Sequence, residues 1–444
     1  MIDLEMAGGR SPGPAFALLG AVQVTLIATI TVITVALPAI RRDLRLDDSG
    51  LVLVAAAYGV SFGGLLLLGG RLADGFGHRR IFVLGVAVFG LASLAAALAP
   101  TSGALLAARL AQGAGGALTG PSAMALVGDL FPDPRRRGRA MSLWGVLSSG
   151  GATIGTVLSG VVVTWVSWRW LFLAPVLISV LVIAAAPRLL PAGPAPDRRP
   201  IDWTGAALAT GGLIALIYGI QRSAWTAVAG LVLLAAFGVV EQRCAAPLMP
   251  LAFLRRRIRP LLAVAVSAAS MATGFYLLSL YLQQVRGLSP LETSAVFLLP
   301  APAILASGIL AARLIHRLGS RTVLILGLVT AAVGLLLVSL LGIPYAGLLV
   351  FPFGTGLAFS AATLEAVRDV PGHQAGLAAG LLNTAMETGP SLGLAALTAL
   401  AAHHSRNAAL GDALALRVAA VAVLIIALIA AWGTASTTRG STEQ

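Results

Sequence analysis

The sequence predicts an all-α protein that crosses a membrane many times. Three observations carry that expectation. Of its 444 residues, 58% are hydrophobic and 11% charged, against roughly a quarter charged in an ordinary soluble domain. Apolar runs of about 20 residues, each long enough to cross a hydrocarbon core of roughly 30 Å, recur along nearly the whole chain. The polar remainder falls into short loops, with no P-loop, metal-ligand cluster or nucleophilic triad and no stretch large enough for an ATP-binding domain. The first apolar run leads into ALPAIRRDL without a small-residue cleavage site, so it is read as a span and not a cleaved signal. Glycine is abundant at 51 residues, which suits helices that approach closely inside a bilayer.

Fourteen spans are expected, at 14–40, 50–70, 81–99, 104–130, 141–165, 168–187, 203–221, 224–241, 261–285, 291–312, 321–341, 343–365, 375–402 and 414–433. An even count puts both termini on one side, together with the loops at 71–80, 131–139, 188–202, 242–260, 313–321 and 366–374. Those loops hold most of the arginine, including RRRGR (135–139) and RRRIR (255–259), so they are expected in the cytoplasm. The net charge of +13 comes from 30 arginines and no lysine. Its concentration in one set of loops, against seven arginines in the opposite loops, points to membrane topology and away from nucleic acid. Trp165, Trp168, Trp170 and Trp225 fall near the opposite ends, as an aromatic belt would. The single Cys244 makes no disulfide framework.

Two breaks in texture divide the array. PRLLPAGPAPDRRP (187–200) is a proline-rich polar connector, and EQRCAAPLMPLAFLRRRIRP (241–260) is a second, its apolar part expected at the interface. The domains expected are a six-helix bundle at 1–187, a linker at 188–202, two additional helices at 203–241, a linker at 242–260, and a second six-helix bundle with a short tail at 261–444. The two sixes resemble each other. GGRLADGFGHRR after the second span and AARLIHRLGSRT after the tenth share R-L-x-x-x-x-G-x-R, and MSLWGVLSSGG (141–151) has an echo in GLAAGLLNTAM (376–386). Internal repeats of this kind mark secondary transporters.

GGRLADGFGHRRIFVLG (69–85) matches a loop signature G-x-x-x-D-R-x-G-R-R through Gly70, Asp74, Gly77 and Arg79, with Gly75 and His78 replacing basic residues. LLAARLAQGAGGAL (105–118) carries R-x-x-Q-G through Arg109, Gln112 and Gly113. With SWRWLF (167–172), PLMPLAFLRRR (247–257), YLQQVRGLSPLE (281–292) and AGLAAGLLNTAMETGPSLGLA (375–395), the chain resembles the major facilitator superfamily over nearly its whole length. The closer likeness is to the fourteen-helix drug:proton antiporter branch. That resemblance implies two six-helix bundles in pseudo-twofold relation plus two extra central helices. It also implies alternating access and a cytoplasmic latch at Asp74, with Asp129 and Arg139 nearby.

Elementary chemistry gives each of these residues a part. Glycine lets the tight turn after the second span reverse at little steric cost. Asp74 can accept from helix-end amides, or pair with Arg79 or Arg139. Arg109 lies within a span, where an arginine costs roughly 2.5–3.5 kcal/mol on insertion scales. It is expected to face the bundle interior, near water or a carboxylate; the alternative is that it snorkels to the interface. The resemblance makes it an element of proton coupling.

The acids are sparse. Where the branch has D-x-T-x-x-x-x-A-L-P, this chain reads TITVITVALP (29–38), so Thr29 stands in the aspartate's place. GATIGTVLSG (151–160) keeps Gly151, Gly155 and Gly160 for close helix packing but has Thr156 where the family has proline. Asp129 and Glu365 lie at span ends, and Glu292 opens a helix, where an acid suits the dipole. Glu387 alone is deep, about a dozen residues into its span. A carboxyl group in apolar surroundings favours its neutral form and ionises when water reaches it, which is what coupling protons to a conformational cycle requires. Attraction of cationic drugs, or a hydrogen-bonded bridge between helices, are its alternative roles. Tyr58, Gln112, Asn383 and Thr384, with Thr29, Gln283 and Gln284, are candidates to line a substrate cavity.

The expected protein is therefore no enzyme. It is a multi-pass transporter of the bacterial cytoplasmic membrane, a monomer needing no cofactor and no metal, with a small-molecule substrate, protons and the bilayer as partners. It would export a hydrophobic or amphiphilic compound, drug or self-made metabolite, by proton antiport. An uncoupled facilitator or importer, or a non-transporting membrane sensor, are the alternatives.

Overall fold

The computed structural model describes residues 12–191, 202–244, 247–340, 344–368, 370, 375–404 and 408–432. Most of the proline-rich connector and the C-terminal tail lie outside them. Among the described residues every regular element is a helix. In order these are α1 (Pro12–Leu44), α2 (Asp48–Phe76), α3 (His78–Ala97), α4 (Ser102–Leu130), α5 (Pro134–Trp165) and α6 (Leu173–Leu189). Next come α7 (Trp203–Arg222), α8 (Ala224–Arg243), α9 (Leu251–Leu280), α10 (Pro290–Val296), α11 (Pro300–Leu318), α12 (Ser320–Ser339), α13 (Pro344–Val367), α14 (Ala375–His404) and α15 (Ala408–Trp432). A short 3₁₀ turn at Trp168–Phe172 precedes α6, and a π-turn at Tyr281–Val285 ends α9.

Side-chain caps set several starts. Asp47 accepts from Gly50 N–H at the head of α2, Thr101 from Ala104 N–H at α4, and Asp133 from Arg136 N–H at α5, where Pro134 fills the first turn without needing a donor. Twelve helical stretches, not fourteen, are long and apolar enough to cross a membrane among the described residues. The helices α4 and α14 have ample length at 29 and 30 residues, roughly 45 Å, but fall short in hydropathy. They carry Arg109 with Gln112, and Asn383 with Glu387.

Several boundaries differ from the expectation. The second linker is largely helix: α9 begins at Leu251 and runs on through Arg255–Arg259, with Pro260 inside it. The tenth span is broken into α10 and α11, because Pro300 cannot donate to the ladder and starts a new helix. Trp168 is no belt residue. It is 3% exposed, and its Nε1–H donates to Asp43, which also pairs with Arg169. Trp165, Trp170 and Trp225 are exposed, as a lipid-facing ring requires.

The chain forms two compact units. Among the described residues the first holds everything up to Gly219, then Ala224–Leu248 and Leu282–Ala295. The second holds Ile220–Ser223, Met249–Tyr281 and the residues from Val296 onward. In the first unit α4 packs between α2 and α3 at backbone distance: a Cβ on Gly113 would lie 2.3 Å from Tyr58 O, and one on Gly115 2.5 Å from Phe89 N. An aromatic corner of Phe16, Phe131 and Trp144 closes one end of its core. In the second unit α12 and α13 meet in the same way, Gly334 against Phe351 and Gly354 against Ala331, while Gly389 and Gly393 of α14 seat on Ala265 and Ala269 of α9.

Candidate functional site

The turn between α2 and α3 is built on Gly77, whose φ of +99° a side chain would oppose. Its N–H closes α2 on Ala73 O. Gly70 packs on Pro121 of α4. The latch partners differ from those expected for Asp74. Arg79 turns away and donates to Leu190 O at 3.2 Å, and Arg139 is exposed. In the RRRGR loop it is Arg137 that reaches α4, donating to Phe131 O at 3.1 Å. The residue that gathers the acids is His78. Its Nδ1 lies 2.7 Å from Asp129 Oδ2 at the end of α4, and its Nε2 lies 3.6 Å from Asp74 Oδ1. A protonated imidazole has a donor for each carboxylate, whereas a neutral ring has a donor for one only. The sequence showed His78 only as a missing arginine. Its i, i+4 spacing from Asp74 was the signal that could have found it.

Arg109 is the largest fully buried side chain among the described residues, 1% exposed. It does not snorkel. Its Nη1 donates to Gln112 Oε1 at 3.2 Å and approaches Thr29 O at 3.4 Å, and its guanidinium lies over the Tyr58 ring, 5.1 Å from the centroid. Gln112 donates in turn to Ser93 Oγ at 2.8 Å. No carboxylate pairs with Arg109 among the described residues, and its Nε has no hydrogen-bond partner. Of the two surroundings expected for Arg109, water or a carboxylate, the carboxylate is absent among the described residues, and position 29 shows why. Arg109 reaches the backbone at position 29, where the resemblance calls for an aspartate and this chain has Thr29, whose hydroxyl bonds back to Thr25 O at 2.8 Å.

Gly151 and Gly155 of α5 lie against α1, and Gly160 lies against α10. A Cβ on Gly151 would meet Val24 O at 2.8 Å, one on Gly155 Ala28 O at 2.7 Å, and one on Gly160 Pro290 O at 2.9 Å. Thr156, in the family's proline position, donates to Ala152 O at 3.0 Å, and no proline interrupts the helix there. Around the seam Gln23 donates to Ser148, Thr31 to Ala152 O and Ser159 to Val32 O. Beyond it, a cavity of about 570 Å³ is lined by Pro38, Arg41, Arg42, Gln283, Gln284 and Gly287, and Gln283 donates to Val35 O at 3.2 Å.

Glu387 lies mid-helix in α14 and is half-buried. Helical periodicity turns it away from the Gly389 seam with α9. No hydrogen bond or ion pair to its carboxyl occurs among the described residues. About one turn earlier stand Asn383, half-buried, and Thr384, whose buried hydroxyl has no partner. Three polar side chains thus crowd one stretch of α14.

Helices of membrane-spanning length, a duplicated glycine turn and lone charges within the spans define a polytopic secondary transporter, not an enzyme. The sequence profile of the Major Facilitator Superfamily matches residues 19–394, and the chain belongs to that family. It is 34% identical to the puromycin resistance protein pur8 of Streptomyces alboniger, covering 89% of this chain and 84% of that one. It is 36% identical to the lincomycin resistance protein of Streptomyces lincolnensis over 74% and 70% of the two chains, and 35% identical to the cephamycin export protein CmcT of Amycolatopsis lactamdurans over 83% and 80%. A solved peptide transporter POT in complex with sulfate superposes with a TM-score of 0.72 over 99% of this chain and 96% of that one. At 18% identity that likeness supports the fold alone. The protein is a multi-pass protein of the bacterial plasma membrane.

Proposed function

We propose that this transporter exports a hydrophobic or amphiphilic antibiotic-like molecule in exchange for protons, with both termini and the arginine-rich turns on the cytoplasmic side. Relatives named for puromycin, lincomycin and cephamycin support the direction and the substrate class. The observation that carries proton coupling is the carboxyl of Glu387, alone in the middle of α14. Such a group can take a proton when its surroundings are dry and release it when they are wet. Asn383 and Thr384 offer hydrogen bonds to a substrate beside it, and no bound cofactor is needed because the gradient supplies the energy.

The test is drug-driven proton movement in proteoliposomes, with puromycin and lincomycin as probes. Glu387→Gln is expected to abolish proton movement while substrate still binds. Unchanged coupling removes Glu387 from the mechanism. A second reading, an uncoupled facilitator, is favoured by one observation: Thr29 leaves Arg109 without a carboxylate. Thr29→Asp separates the two. In a coupled exporter it is expected to change the pH dependence of drug efflux, because a new acid then faces Arg109. In a facilitator efflux stays indifferent to a pH gradient with either residue.

A further inference from the structure

We propose that the cavity between the end of α1 and the segment from the π-turn to α10 binds an organic acid of drug size, with Arg42 and Arg41 receiving its carboxylate. The cavity has a volume of about 570 Å³, inside the range of roughly 300–1,000 Å³ typical of small-molecule sites. A bare inorganic anion would fill little of it. Two arginines and two glutamines line it, Arg41, Arg42, Gln283 and Gln284, and among the described residues no aspartate or glutamate does. All of these residues belong to the first compact unit.

The acids nearby are committed elsewhere. Asp43 holds Trp168 and Arg169. Glu292 folds back on the start of its own helix, accepting from Ser289 N–H at 2.8 Å and from Ser289 Oγ at 2.9 Å. Asp48 pairs with Arg41 at 2.9 Å, but it is exposed and does not line the cavity. Arg42 has no acid among the described residues. Its Nε makes a long bond to Pro38 O at 3.4 Å, which leaves both terminal nitrogens of the guanidinium for a ligand. A carboxylate fits such a fork with two parallel hydrogen bonds. Gln284, exposed in the same cavity, offers an amide donor from the π-turn.

The walls are held in place without a ligand. Gln283 donates to Val35 O at 3.2 Å and ties the π-turn to α1. Gly287 turns the chain with a φ of +69°, and Leu288 N–H closes the loop on Leu282 O at 2.9 Å. Helix α10 is seated on α5 at Gly160, where a Cβ would lie 2.9 Å from Pro290 O. A site built before its ligand arrives loses less to ordering on binding. This end of α1 lies opposite the His78 turn, since α2 runs from one to the other. In the topology proposed above it is the outer end, where an exported acid would be released. That placement rests on the proposed export function; the binding does not.

The experiment is a fluorescence titration of the full chain in phosphatidylcholine nanodiscs, at constant ionic strength and with no ion gradient, so a failed antiport proposal leaves it readable. The probes are dansylglycine and dansylglycinamide, which share a skeleton and differ by the carboxylate. Dansylglycine is expected to bind about tenfold more tightly than the amide, the effect of one charge-assisted pair, a comparison on the unsubstituted chain that needs no variant to fold. Arg42→Gln, at an exposed position, is expected to erase that preference. Arg286→Gln, at an exposed arginine that does not line the cavity, is expected to change nothing. Equal affinity for the two probes, a preference that survives Arg42→Gln, or an equal loss in Arg286→Gln overturns the proposal. So does displacement of dansylglycine by equimolar inorganic phosphate or by a soluble short-chain phosphatidylglycerol, which would assign the arginines to a small anion or to a lipid headgroup.

Discussion

At the turn between α2 and α3, Gly77 has a φ of +99°; at the turn between α11 and α12, Gly319 has a φ of +79°. Two residues beyond each glycine an arginine reaches the last carbonyls of a distant helix: Arg79 to Leu190 O after α6, and Arg321 to Ala430 O and Ala431 O in α15. One residue beyond each glycine a polar side chain meets an acid at a helix end, His78 with Asp129 and Ser320 with Glu365. The repeat read in the sequence is therefore a repeat of contacts. The chemistry is not shared. The first turn carries an imidazole between two carboxylates. The second has a hydroxyl on Glu365, helped by Arg368 at 3.5 Å, and His316 in the position of Asp74. Backbone reversal and arginine anchoring are what any such turn needs to hold its helices. The charge cluster is an addition in one half, the half in which the resemblance implies a latch.

The sharpest way to break this contrast is to remove the acids. Asp129→Ala is expected to lower transport about tenfold, roughly 1.4 kcal/mol in the transport cycle, while Glu365→Ala lowers it less than about threefold; drug efflux from loaded cells measures both, and a reversed order would end the idea of a one-sided latch. Gly77→Ala and Gly319→Ala should each destabilise by roughly 1–2 kcal/mol, the penalty of a left-handed conformation for a residue with a Cβ. No atom lies within 4 Å of either added methyl, so the two midpoints of thermal unfolding in detergent should fall together. A smaller difference separates the arginines. Arg321→Ala loses two carbonyl contacts and Arg79→Ala one, so at about 1 kcal/mol per hydrogen bond the former should be about twice as destabilising by the same measurement. His78→Ser, which writes the second turn's residue into the first, should destabilise by about 0.5–1 kcal/mol, because a serine hydroxyl can serve only one of the two acids that the imidazole meets. A large loss would mean that the imidazole holds the fold itself.

Much of this was legible from residue order. Membrane helices announce themselves by composition, and a glycine in a repeated loop announces a reversal. Arg109 was expected inward because lipid makes the alternative costly. Gly151 and Gly155 mark the seam of α5 with α1 because only a missing side chain allows that approach. What escaped depended on rotation and on distant partners. Asp74 had two expected partners, Arg79 and Arg139, and only the folded turn shows that Arg79 points to Leu190 and His78 to the acids. Trp168 looked like a belt residue until Asp43, far back in the chain, supplied its acceptor. The start of α9 was hidden by its arginines, which read as loop although they are good helix formers.

The α1–α5 seam constrains how the molecule can move. With Gly151 and Gly155 at van der Waals contact with the α1 backbone, and with Gln23, Thr31 and Ser159 tying the two helices over three turns, sliding one past the other by even a single turn would sever every tie at once. The two helices must travel as one stiff beam, so whatever bending the transport cycle demands has to be absorbed at their ends and in the turns beyond them.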